Sequence, residues 1–299
     1  MTRPTQIALL PDGKRLHLQD GPIDLIVEAD GREADVRAAY RAAAQRFVGL
    51  LDELCEELAR LRQAADPRQC RLRGAVARRM HAAVAPFAVD QFITPMAAVA
   101  GSVAEEILDA MRGAAKLDRA YVNNGGDIAL HLASDAQFSV GVMDRPDRLG
   151  LLRTMVIEAD DGIGGVATSG RHGRSFSLGI ADAVTILAKS ASQADAAATM
   201  IANAVDLPGH PSVMRCPANE LQAESDLGAR LVTREVGELS DADVAEALAA
   251  GADCAREALA AGLIDGAALC LRGRIVIVGA LRLDRAPSRQ LHGSALEQA

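Results

Sequence analysis

The sequence predicts an α+β fold with antiparallel sheets, and three observations carry that expectation. Helix-period and strand-period segments come in groups, with helices between runs of consecutive strands and not one helix per strand, which argues against a doubly wound parallel sheet. The one stretch that fits a dinucleotide fingerprint, Gly162-Ile163-Gly164-Gly165-Val166-Ala167 with Asp182 20 residues after Gly162, opens no helix, because the short and β-like Thr168-Ser169-Gly170-Arg171 follows it. The composition is globular: 49% hydrophobic and 24% charged over 299 residues is enough chain for a sizeable core. With no Trp, two Tyr and five Phe, Ala, Val and Leu must fill that core.

Residues 15–29 read as two short strands around the turn Asp20-Gly21-Pro22. An amphipathic helix is expected over about 34–64, where Tyr40, Phe47, Leu51, Leu54, Leu58 and Leu61 recur at helical spacing. A coiled coil shares that register, but a helix lying on a sheet explains the stripe and is favoured. Residues 66–75 form a basic connection, followed by a helix through Met80 and Val84 and another over 95–114. Three strands fall in 119–142, broken at Gly125-Gly126 and Ser134-Asp135, with further strands at 153–159, 165–168 and 183–188. A helix at 193–205, a strand at 230–236, a helix at 241–262 and a terminal hairpin complete the pattern, and the polar tail from Arg285 is expected to be mobile. The apolar stripes of 34–64 and 241–262, read as exposed, leave homodimer formation open.

The net charge of −8 and the small aromatic set disfavour nucleic acid as a partner. No apolar run reaches membrane-spanning length, and no apolar signal core follows Met1-Thr2-Arg3-Pro4, so a cytoplasmic protein away from membranes is expected. Cys55, Cys70, Cys216, Cys254 and Cys270 are odd in number and widely spaced, which indicates neither a zinc cage nor a disulfide framework. Cys55, Cys254 and Cys270 read as small buried hydrophobes.

Several short motifs carry both a plain and a chemical reading. Asn123-Asn124-Gly125-Gly126-Asp127 fits a hairpin turn, and its glycines would also let backbone approach a ligand. Thr168-Ser169-Gly170-Arg171-His172-Gly173-Arg174 is either a solvated loop or a phosphate cradle of hydroxyls, glycines and guanidiniums. Asp195 and Thr199, four apart, face one side of a helix and suit a hard cation such as Mg²⁺, although Ser192 and Asp195 also have the spacing of a capping box, as do Ser240 and Asp243.

Taken in order, these motifs resemble the ApbE superfamily, whose best-known members transfer FMN from FAD to a protein threonine, or hydrolyse FAD, using Mg²⁺. Val122 to Ile128 resembles the family's Gly-Gly strand–turn, and Phe138 to Val142 with Asp144 and Pro146 the strand that follows. Ala167-Thr168-Ser169-Gly170 resembles its Thr-Ser-Gly turn, and Ala194 to Thr199 its metal helix. This core covers about residues 94–205. Gly21 to Leu25, Pro95 to Gly101 and Ser225 to Gly228 extend the likeness, nearly over the whole chain, to one bacterial and archaeal branch. The resemblance implies a duplicated fold over residues 1–284, with two similar subdomains and a ligand cleft between them. It implies FAD or FMN as a small-molecule nucleotide ligand, with Asp195 and Thr199 on Mg²⁺. Met96, Ala97, Gly101, Asn123, Gly125, Gly126, Asp127, Thr168, Ser169 and Gly170 would contact the nucleotide, with Arg171 on a phosphate and Asp182 as acid or base. Two departures fall on the FAD-handling residues and spare the metal pair. Val99-Ala100-Gly101 stands where the transferases carry Ala-Lys-Gly, and the segment 175–182 lacks their histidine. The branch has also been linked to sulfur assimilation into homocysteine, which implies a carrier or redox role for a bound flavin; a scaffold without chemistry is the third reading.

Overall fold

The computed structural model describes residues 5–143, 151–279 and 284–285. The tail expected beyond Arg285, and Asp144 and Pro146, lie outside the described residues. The chain opens with β1 (Gln6–Leu9), β2 (Leu16–Asp20) and β3 (Ile23–Asp30), then α1 (Glu33–Phe47), α2 (Leu50–Glu56), α3 (Leu58–Leu61) and α4 (Ala75–Val84). A 3-10 turn, Pro95–Ala98, leads into α5 (Val99–Ala114), and β4 (Arg119–Asn124), β5 (Asp127–Leu132), β6 (Gln137–Met143), β7 (Leu151–Glu158), β8 (Gly165–Ser169) and β9 (Ala183–Ala188) follow. Then come α6 (Ala191–Ala204), β10 (Val213–Pro217), α7 (Ala218–Leu221), β11 (Leu231–Val236), α8 (Asp241–Ala260), β12 (Gly266–Leu271), β13 (Arg274–Gly279) and β14 (Asp284–Arg285).

Nine strands form one sheet in the order β1-β2-β3-β4-β5-β8-β9-β12-β13, every neighbouring pair antiparallel. Together with the interspersed helices this is the α+β class the grouping of strands predicts. Alternation explains which face each strand buries: in β3 the residues Ile23, Leu25, Val27 and Ala29 are buried while their neighbours are half-buried. The central β9 and β12 are buried on both faces, as their unbroken apolar runs require. One face carries two adjoining helical cores. Leu18, Leu25 and Val27 pack with Phe47, Met80, Ile107 and Met111; Val184, Ile186 and Leu269 pack with Ala197, Ile201 and Leu248. On the opposite face Leu130, Val166 and Leu187 meet Val140, Met155 and Ile157 of the small β14-β7-β6 sheet.

Three expectations need correction. The single helix over 34–64 is broken: α1 ends at Phe47, and Gly49 adopts φ 80° before α2 begins. Glycine takes that left-handed conformation without steric cost, and the bend lets Phe47, Leu50, Leu54 and Leu61 all reach the core. The apolar stripes of this segment and of α8, read as exposed, instead turn largely toward the core. Cys55 is exposed, whereas Cys270 is buried as expected. The strands β1 and β10 and the short α7 went unanticipated; all four residues of β1 are exposed, so no buried face marks it in the sequence. Among the described residues no helix is long and apolar enough to cross a membrane.

The helical layer sits unusually close to the sheet at one point. A Cβ on Gly165 of β8 would lie 2.3 Å from the Ala191 nitrogen at the start of α6. Gly165→Ala is therefore expected to cost about 3 kcal/mol in urea unfolding, because two backbones, not one flexible side chain, must part. Gly113→Ala, where a Cβ meets nothing within 4 Å, serves as the control and is expected to be neutral or slightly stabilising. Equal stabilities for the two variants would refute the close approach.

Candidate functional site

The two helical cores meet where β5 joins β8, a short seam paired only at Ile128–Val166 and Ala129–Gly165. Above it the start of α5 crosses the start of α6. Gly101 makes the crossing tight: a Cβ there would lie 2.2 Å from the Ala191 carbonyl oxygen and 3.0 Å from Cβ of Asp195. Removing that side chain lets the first turn of α5 lean on α6.

Asp195 uses this contact. Its carboxylate accepts the Gly101 amide at 2.9 Å and also the Ala100 amide. These are first-turn N–H groups that α5 leaves unpaired, since its own N-cap is Ala98, which has no capping group. Asp195 thus caps a neighbouring helix. It does not close its own, whose N-cap is Ser190, accepting from the Gln193 amide. The capping-box reading of Ser192 and Asp195 is overturned, and Ser192 instead hydrogen-bonds Glu105 of α5. The same reading holds for Ser240 and Asp243, which form a reciprocal box at the start of α8.

The second carboxylate is Asp127, at the start of β5. Alternation places it on the helix-bearing face with Ala129, beneath α6. Its Oδ1 accepts the Thr168 amide at 3.3 Å. Burial pushes the Asp127 carboxyl up to about 7, against the opposing pull of the Thr168 amide and the Arg174 charge. Burial, followed by the negative charge of Asp127, holds Asp195 well above the ordinary carboxylate range, although the Gly101 and Ala100 amides favour its ionised form. Both residues keep partial solvent access. The Asp127 charge thus disfavours ionisation of Asp195, no ion pair joins either carboxylate among the described residues, and the two together could hold a cation.

The other residues singled out in the sequence divide around this pair. Thr199 lies one turn along α6 from Asp195, half-buried, with no hydrogen bond from its hydroxyl among the described residues. Met96 and Ala97 lie in the 3-10 turn that feeds α5, and both pack on the first core. Asn123 accepts the Gly126 amide at 2.8 Å and so holds the turn, while its neighbour Asn124 donates to the Ala100 carbonyl and ties the turn to α5. The idea that both glycine amides are free for a ligand therefore fails for Gly126. Thr168 and Ser169 are not side by side. The Thr168 hydroxyl meets Thr185 at 2.9 Å on the far face, and alternation puts Ser169 on the face shared with Asp127. Gly170 allows the chain to pass Asp182, where a Cβ would meet a carbonyl oxygen at 2.6 Å.

Arg171 and Asp182 bind each other. Asp182 is buried, and its Oδ1 accepts from Arg171 Nη2 at 2.6 Å and Nε at 3.0 Å, with His172 Nε2 at 3.2 Å. Its Oδ2 accepts the Arg272 amide at 2.6 Å. The pair thus pins the neck of the 170–182 loop. The guanidinium that comes near the Gly125–Gly126 turn belongs to Arg174.

Two cavities lie elsewhere. One, of about 410 Å³, is lined by Phe92, Leu178, Met200, Asn203, Arg215 and Arg230 among others, and reaches α6 at Met200, next to Thr199 in the chain. The other, of about 350 Å³, is formed by Glu238, Asp241, Arg272 and Arg274 with Leu239 and Val244. Neither is lined by the carboxylate pair or by the 125–126 and 168–170 turns, where a crevice was expected.

Comparison with known proteins finds relatives over part of the chain and a family over most of it. The chain is 40% identical over 129 residues to a UPF0280 protein of Methanopyrus kandleri, which covers 43% of this chain and 48% of that one. It is 42% identical over 114 residues to a UPF0280 protein of Archaeoglobus fulgidus, covering 38% and 45%. The matched part therefore spans about half the length of these curated relatives. Among solved structures, the apo flavinyl transferase ApbE of Pseudomonas stutzeri aligns over 92% of this chain and 94% of that one, at 11% identity and a TM-score of 0.34. The family model described as AbpE bacteria matches residues 7–277, and the chain belongs to that ApbE-like family.

Proposed function

We propose that the protein binds a flavin nucleotide, FAD in the first instance, through Mg²⁺ held beside Asp195 and Asp127, and that its chemistry is addition of water across the pyrophosphate to give FMN and AMP. The observation that carries this reading is the carboxylate pair at the seam. Mg²⁺ prefers oxygen ligands, keeps several waters, and is commonly bound by one or two carboxylates with substrate phosphates completing the shell. The donors here suit that pattern: two carboxylates and the Thr199 hydroxyl, with no cluster of three or more His, Cys, Asp or Glu among the described residues to form an all-protein cage. When bound, such an ion neutralises charge developing on the cleaved pyrophosphate.

The chain's own residues have separate tasks in this scheme. The amides of Ala100 and Gly101 fix the orientation of the Asp195 carboxylate. Asp127, one strand below, supplies the second negative charge. Ser169 and Thr199 provide hydroxyls on the same side. The missing lysine at Val99-Ala100-Gly101 and the missing histidine in 175–182 weigh for hydrolysis over transfer to a protein threonine.

Asp195→Asn separates the two roles of this residue. The amide oxygen still accepts from Gly101, so the fold should persist, while Mg²⁺ affinity by titration calorimetry should fall at least about tenfold with the lost charge. Thr199→Val should weaken Mg²⁺ by a smaller factor. Unchanged Mg²⁺ and FAD binding in Asp195→Asn would refute the assignment, and native protein that neither binds nor cleaves FAD in Mg²⁺ would refute the function.

The pH dependence has a definite sign. A carboxyl whose pKa is raised from 3.8 to about 7 binds its proton more tightly in the folded state, so stability is highest at low pH and is lost as pH rises through that window. Thermal unfolding in EDTA should therefore show the melting temperature falling between about pH 4 and pH 7 from this pair. Added Mg²⁺ should restore it at pH 7 and do nothing at pH 4. A Mg²⁺ effect of equal size at both values would contradict the site.

A further inference from the structure

The 170–182 loop is fixed at its neck and charged at its tip. At the neck the Arg171 amide donates to the Ala181 carbonyl, and the Arg171 guanidinium and His172 ring meet buried Asp182. Four residues into the loop, Arg174 reaches across to the β4–β5 turn. A methyl on Gly125 would lie 3.3 Å from Cζ and Nη1 of Arg174 and 3.4 Å from Nη2, so the guanidinium lies face-on over that glycine. The missing side chain lets the guanidinium settle there, and Gly125 takes φ 67° in the tight turn.

Arg174 differs from the other arginines near the seam. Arg171 is spent on Asp182, whereas Arg174 is exposed and makes no hydrogen bond or ion pair among the described residues. Asp127 stands at the end of the same turn and feels the Arg174 charge, yet no salt bridge joins them. An arginine held beside a carboxylate pair, in a chain of net charge −8, is the cation that a bound oxyanion would find first.

We propose that Arg174 is the anion-binding residue of this site, closing over the Gly125–Gly126 turn to grip the diphosphate oxygens of a nucleotide whose cation Asp127 and Asp195 would hold. This inference rests on the function proposed above and deepens it: the ligand class is set by its diphosphate and not by its ring. It also reassigns the phosphate contact from Arg171, whose guanidinium holds the loop neck.

The test measures binding of ADP, inorganic pyrophosphate and adenosine to the full chain in Mg²⁺ by calorimetry, with Mg²⁺ alone titrated separately. Arg174→Gln should keep its melting temperature, since the side chain has no partner to lose, and keep Mg²⁺ affinity within about twofold. ADP and pyrophosphate should each bind roughly tenfold more weakly, as for one lost charge-assisted contact. Arg174→Lys should recover part of the loss, because a point charge replaces the bidentate fork. Arg171→Gln should lower the melting temperature instead, by uncoupling buried Asp182. If Arg174→Gln binds pyrophosphate as tightly as the native chain, the grip is refuted while the Mg²⁺ reading stands. If the native chain binds neither Mg²⁺ nor pyrophosphate, both fall together.

Discussion

The arrangement of the seam depends on one hydrogen-bonded contact between two helices: the Asp195 carboxylate lying on the Ala100 and Gly101 amides at the start of α5. It exists because two glycines remove the atoms that would prevent it. Gly101 lets α5 touch α6, and Gly165 lets α6 settle on β8. With those gaps closed, a side chain in the second turn of one helix becomes the cap of another, and a short β5–β8 pairing is enough to join the two helical cores into one continuous sheet. Glu57 does the same work elsewhere, accepting the Arg73 and Gly74 amides ahead of α4, whose N-cap Gly74 has no side chain to offer. Borrowed caps are a recurrent device of this chain, and the one at the seam stands beside a second carboxylate with no arginine paired to either.

That second carboxylate separates a structural cap from a candidate site. A buried acidic cap is satisfied by the amides it accepts, and Glu57 has Arg60 within 3.8 Å as well. Asp195 has amides and no cation, and Asp127 adds negative charge to the same enclosure. The Thr168 amide that Asp127 accepts would be met equally by a neutral asparagine, so the fold alone does not call for the second charge.

Much of the architecture was legible in the sequence because local patterns and tertiary surroundings agree. The strands at 119–142 and 183–188 lie where alternation and apolar runs place them, and the Ser240–Asp243 box is local by nature. The misreadings came from contacts between residues far apart in the chain. Gly49 sits inside a periodic run, and only the need to bring both Phe47 and Leu61 to one core shows that the helix must break there. The spacing of Ser192 and Asp195 matches a capping box, yet Ser190, two residues before Ser192, is the cap, leaving Asp195 for a helix 94 positions away. Thr168 and Ser169 are neighbours in sequence, and strand alternation sets their hydroxyls on opposite faces. Arg171 and Arg174 could not be told apart, since the difference lies in Asp182, whose burial depends on the arrival of Arg272 from β12's end.

Asp127 carries more in the fold than its place in the sequence shows. In sequence it closes an Asn-Gly turn, and any acidic or polar residue serves a turn. In the fold it starts a strand whose inward face leads to α6, and the same turn that brings it there holds Gly125 open for Arg174. Turn, carboxylate and guanidinium thus form one unit: the hairpin geometry fixes the spacing between a negative wall and a positive cover, with the α6 carboxylate behind. Neither charge neutralises the other through a direct bridge, although both are within reach of each other's field. Opposite charges that a rigid turn keeps apart remain available to ions of either sign, and a metal–diphosphate ligand presents both.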